Sequence, residues 1–120
     1  MKFVLQLHMN PTIWASLSEE DQNAVIQGQE EFIKLAKDSG EFVATKAMGG
    51  PSSSTTVRVR NGAPLSTDGS YLPGEAEFMC GYYVVDVTGK DRALELAAQI
   101  PDAKYTGIEV RPVMFEAGAE

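Results

Sequence analysis

Phe78-Met79-Cys80-Gly81-Tyr82-Tyr83-Val84-Val85-Asp86-Val87 is the longest strand candidate in the chain, and its two faces decide the fold. Met79, Gly81, Tyr83, Val85 and Val87 fall on one side, and Phe78, Cys80, Tyr82, Val84 and Asp86 on the other. An antiparallel sheet with one wet face alternates clearly between apolar and polar positions. Here both sets are apolar, so both faces of the strand are expected to be covered. Helices take the first face. The second requires the long connector ahead of the strand or a second copy of the chain, and a homodimer packed sheet to sheet around a cleft is the expected solution.

Reading outward from that strand gives the rest of the layout. At residues 2–8, Phe3, Leu5 and Leu7 share one face, and Val4, Gln6 and His8 the other. Asn10-Pro11 stops the strand, and a helical turn carrying Trp14 follows over 11–17. Ser18 then offers an N-cap with Glu19, Glu20 and Asp21 in the first turn, where acids complement the helix dipole. Val25, Gly28, Phe32, Leu35 and Ala36 recur at helical spacing until Ser39-Gly40 ends the run. Residues 41–48 form a second strand, and Gly49-Gly50-Pro51 with three serines reads as a flexible connector.

Thr55–Arg60 alternates valine with arginine, and Asn61-Gly62 is a strong type I′ turn signal. The return strand is short and holds Pro64, which makes the hairpin an edge arm rather than sheet core. Turns follow at Asp68-Gly69 and Pro73-Gly74. A second amphipathic helix spans 91–100, with Ala93, Leu94, Ala97 and Ala98 apolar and Pro101 at its end. The last strand covers 105–115, and 116–120 reads as a frayed tail. Strand, helix, strand, arm, strand, helix, strand is an α+β order. It fits a ferredoxin-like four-stranded antiparallel sheet with both helices on one face. The 120 residues make one domain, 1–120.

Composition narrows the function classes. Ten Lys and Arg against seventeen Asp and Glu leave a net charge of −7, with no basic run, so nucleic acid is disfavoured as a partner. No stretch approaches twenty apolar residues, and no membrane partner is expected. The single cysteine, Cys80, forms neither an internal disulfide nor a zinc site, and a cytoplasmic location follows as the default. Gly49-Gly50-Pro51 lacks the Lys and helix of a phosphate-cradling loop. No His, Cys and carboxylate cluster has metal spacing, so no cofactor or metal is expected.

Candidate acid/base residues are few. His8 is the only histidine, the side chain whose ordinary pKa lies nearest neutrality, and it points with Gln6 towards the expected cleft. A partner to fix its tautomer could be Asp68 or Glu109. Asp68, in Thr67-Asp68-Gly69, also suits a turn, because its carboxylate can accept backbone N–H bonds. Glu109 and Arg111 share a strand face; Arg111 could fix an anionic ligand with its two-pronged donor geometry, or pair with Glu109. Tyr82 is a cleft-wall residue. Cys80, beside it and without an adjacent histidine, reads as an apolar filler.

Taken in order, Thr56-Val-Arg-Val-Arg60, Thr67-Asp-Gly69, Gly81-Tyr-Tyr-Val-Val-Asp86, Ala93-Leu-Glu-Leu-Ala-Ala98 with Ile100-Pro101, and Glu109-Val-Arg-Pro112 resemble the YCII-related proteins. The likeness is greatest to the branch named for its Asp-Gly-Pro-Phe (DGPF) motif. It implies a dimeric ferredoxin-like fold of the α/β-barrel type, with an Asp–His pair facing a small cleft and relatives acting on small ring compounds. It places Asp68 as the aspartate. Ser70-Tyr71 stands where the motif has Pro-Phe, and Gln29 stands where the histidine of the pair is expected. A glutamine moves no proton, so Gln29 is a ligand-binding candidate. The expected function is binding or transformation of a small anionic or aromatic molecule in a cleft on the sheet, with acid/base help from Asp68 or His8. The alternative is a non-catalytic dimeric interaction or regulatory module.

Overall fold

Period-2 burial defines the first strand. Phe3, Leu5, Leu7 and Met9 are buried, and the residues between them only partly so. The computed structural model describes residues 1–74 and 76–118. Along the chain run β1 (Lys2–Met9), α1 (Pro11–Ser16), α2 (Glu19–Asp38), β2 (Phe42–Ala47), β3 (Thr55–Arg60), β4 (Ala63–Asp68), β5 (Phe78–Asp86), α3 (Lys90–Ala97) and β6 (Gly107–Pro112). Short 3-10 turns occupy Pro51–Ser53 and Pro101–Lys104. The protein is α+β: β2, β5, β1 and β6 form, in that order, one antiparallel sheet.

Local chemistry sets the helix ends. Asn10 Oδ1 accepts the Thr12 backbone N–H at 2.9 Å and caps α1. Ser18 Oγ accepts that of Asp21 at 3.1 Å and caps α2, as its position before three acids predicts. Past α2, Gly40 takes a left-handed φ of +76°, which glycine adopts without a Cβ clash. Phe32 and Ala36 of α2 and Ala93, Leu96 and Ala97 of α3 join one core with Phe3, Leu5, Leu7, Tyr83 and Val85. Both helices therefore lie on the same face of the sheet. Each such Leu or Phe contributes about 2 kcal/mol by leaving water. Leu94, expected in this core, is exposed; Leu96 and Ile100 take its place, because the 93–97–100 stripe sets the helix phase. Arg92 ties α3 to the start of β2, donating from Nη2 and Nε to Glu41 at 2.8 and 2.9 Å.

The strand that decides the fold carries a bulge. Leu7 pairs with Gly81, but His8 pairs with Met79, so Cys80 is an extra residue on β5. This corrects the face assignment made from simple alternation. Met79 comes to the open face beside His8, and Cys80 packs against the helix-side core. Gly81 follows the bulge where a Cβ would stand 2.7 Å from the Lys46 carbonyl oxygen, so β2 and β5 meet closely there.

β3 and β4 form a separate two-stranded sheet through Asn61-Gly62, whose φ values of 53° and 77° are those of a type I′ turn. The return strand is not short: all six of its residues pair with β3, because Pro64 lies in a ribbon with two free edges. The Gly/Ser connector is likewise not a free linker; the Ser53 backbone N–H donates to the Gly50 carbonyl at 3.0 Å and closes a turn. The arm stands away from the body. The radius of gyration is 16.2 Å, against about 13.6 Å for a compact chain of this length.

Residues 113–118 run along the open face. The Val113 N–H donates to the Lys2 carbonyl at 2.9 Å, and Lys2 Nζ donates to Glu116 Oε2 at 2.9 Å. The frayed tail expected at 116–120 is thus partly pinned at Glu116; its last two residues, 119 and 120, lie outside the described residues. Among the described residues, no helix is long and apolar enough to cross a membrane.

Candidate functional site

His8 stands at the end of β1, where three pieces of the chain converge. Thr106 Oγ1 donates to the His8 carbonyl and, at 3.3 Å, to that of Asp102, which fixes the strand end to the turn before β6. On one side of His8 lies a cavity of about 490 Å³, walled by Ser54, Ser70, Tyr71, Leu72, Phe78 and Met79. On the other side a smaller one of about 270 Å³ is walled by Thr106, Ile108 and Glu109. Glu77 borders both cavities. An imidazole with carboxylates and hydroxyls around it can take up and deliver a proton within a mostly apolar hollow.

The other expected residues are dispersed. Glu109 shares a cavity with His8, whereas Asp68 is exposed at the end of β4, with Thr55 Oγ1 3.5 Å from its Oδ1, and borders neither hollow. Arg111 is 68% exposed in its side chain, with Nε 3.7 Å from Glu109 Oε2. Tyr82 lines a third hollow of about 720 Å³ on the open face, with Val4, Gln6, Val84 and Phe115.

Gln29 lies on the opposite, helix side of the sheet. Its Nε2 donates to Asp102 Oδ1 at 2.6 Å, and its Oε1 accepts the Tyr83 hydroxyl at 2.5 Å. Asp102 is only 3% exposed, and burial raises its pKa against the opposing Gln29 hydrogen bond. Burial, then the Asp102 charge, pushes the Tyr83 hydroxyl up to about 12 and the Cys80 thiol up to about 11. A thiol so raised is a poor nucleophile near neutrality. Gly28 makes the arrangement possible: a Cβ there would stand 2.5 Å from Pro101 Cγ, so its absence lets α2 approach the turn that holds Asp102. Gln29 and His8 are thus separated by the sheet. Among the described residues, no group of three or more His, Cys, Asp or Glu is placed to hold a metal ion.

Sequence reasoning missed Glu77, Tyr71 and Asp102. Glu77 and Tyr71 sit in an unpatterned loop, where only the Pro73-Gly74 turn hints that the chain folds back towards β1. For Asp102 the signal was Gly28, a residue that weakens a helix interior unless something packs on it.

These features define an α+β protein with a hollow at one end of an antiparallel sheet. The family model of the YCII-related domain matches residues 1–116, and the chain belongs to that family. Among curated proteins, no match is found.

Proposed function

We propose that this YCII-related protein binds a small ring-containing molecule between the loop at 70–74 and the end of β1, and that His8 moves a proton there. The observation that carries this reading is the position of the single histidine on the wall of two adjoining hollows. Tyr71, Leu72, Phe78 and Met79 offer a ring its apolar surface, and Ser54 and Ser70 offer hydroxyls for orientation. Asp68 enters this account as an arm residue that reaches a site only by way of another copy of the chain.

The same proposal includes a ferredoxin-like half-barrel closed by a second copy over the open face, in a cytoplasmic setting. The strand order with both helices on one face supports it, as do the part-exposed Val4 and Tyr82 on the other face. Light scattering at micromolar concentration would return twice the 13.0 kDa chain mass; the single-chain mass would remove this part.

A thermal-shift panel of phenols, lactones and small carboxylates tests the site. A ligand at one hundred times its dissociation constant adds about 2.7 kcal/mol, several degrees for a domain of this size. A hit lost in His8→Gln and kept in Asp68→Asn supports the reading. A hit lost only in Asp68→Asn moves the chemistry to Asp68.

One observation favours the alternative of an interaction module. Val57 and Val59 are each more than 60% exposed on one face of the arm, an apolar edge that suits a protein partner.

A further inference from the structure

The walls around His8 carry one sign of charge. Glu77 borders both hollows and Glu109 the smaller one, while among the described residues no Lys or Arg borders either. Glu109 is already met by Arg111 at 3.7 Å, whereas Glu77 makes no ion pair among the described residues. The chain as a whole carries −7, so its field adds to that of the local carboxylates. In the larger hollow an anionic ligand would meet the Glu77 carboxylate, while Arg58, held over the Tyr71 ring at 5.3 Å, is not among the described residues that border the hollow. A ring bearing an ammonium group would set its apolar part against Leu72, Phe78 and Met79. Its charge would face Glu77, while the Tyr71 ring already has the Arg58 guanidinium 5.3 Å from its centroid.

We infer that the His8 site selects small aromatic or cyclic amines, with Glu77 as the residue that sets this specificity. The inference rests on the proposed site and narrows its ligand from anionic or aromatic to cationic and aromatic. His8, flanked by carboxylates, is then placed to exchange a proton with the amine or with a hydroxyl beside it.

Three probes of one size and shape test it: benzylamine, benzyl alcohol and benzoate, titrated calorimetrically into the wild-type protein, Glu77→Gln, Glu109→Gln and His8→Gln. The expected order is benzylamine over benzyl alcohol over benzoate, with about a fivefold gain for the amine over the alcohol, the scale of a partly solvated ion pair. Glu77→Gln removes that gain; Glu109→Gln, whose carboxylate is shared with Arg111, retains most of it. Equal binding of all three, or benzoate the tightest, with binding still lost in His8→Gln, overturns the charge selection and leaves the site standing. An amine preference unchanged in Glu77→Gln overturns the assignment to that residue. Failure of all three probes overturns the inference, and His8-dependent hits among phenols or lactones then decide separately whether the site survives.

Discussion

Gln29 Nε2 lies 2.6 Å from Asp102 Oδ1, and this hydrogen bond joins the middle of α2 to the turn before β6. It satisfies a carboxyl group that is otherwise cut off from water. Because the same side chain also accepts the Tyr83 hydroxyl, one amide supports two buried polar groups. Gln29→Leu should therefore destabilise the fold by about 3 kcal/mol, the scale of leaving such groups without partners. Urea denaturation measures it; an unchanged midpoint would mean that water replaces the amide.

The pH dependence of stability should show two carboxyl groups pulling in opposite directions. Burial raises the Asp102 pKa above 3.8, so its contribution is fully present below that pH and fades as pH rises through the folded value. Glu41 is the reverse: Arg92 holds its carboxyl below 4.5, so its contribution is present above that pH and lost as pH falls through the folded value. Asp102→Asn should thus gain stability relative to wild type between pH 3 and pH 7. Urea midpoints across that range check the sign. A difference that stays flat would show that Asp102 titrates alike in both states.

Cys80 should be slow to alkylate. Its thiol is raised from 9.0 to about 11, so near pH 8 the native thiolate fraction falls about 100-fold below that of the unfolded chain. Iodoacetamide labelling with and without urea reads the ratio directly. Equal rates would place the thiol in solvent.

Gly81→Ala should cost about 2 kcal/mol, typical of forced overpacking, since its Cβ would meet a backbone carbonyl of β2 at 2.7 Å. The neighbour is backbone rather than a flexible side-chain end, so it cannot swing aside. A midpoint within error of wild type would show that β2 shifts freely.

Much of the fold was legible because its signals are local. The Ser18 cap, the Asn61-Gly62 turn and the Phe3-Leu5-Leu7 alternation each act within a few residues. The bulge at Cys80 was not, because strict alternation contains no mark for one inserted residue, and it exchanges the sides of Met79 and Cys80. The site was less legible still. His8 could be placed from its strand face and its rarity. Glu77 and Tyr71 reach it only through the path of a loop, and Gln29 meets Asp102 across 73 residues because Gly28 omits a side chain.

The most direct test of the account follows the ring protons of His8, the chain's only histidine, by NMR while phenol is titrated into the protein. The account predicts a saturable shift of those signals, with the Ser70 and Tyr71 amides moving at the same dissociation constant. His8 signals that stay in place, whether other amides saturate or not, would contradict it.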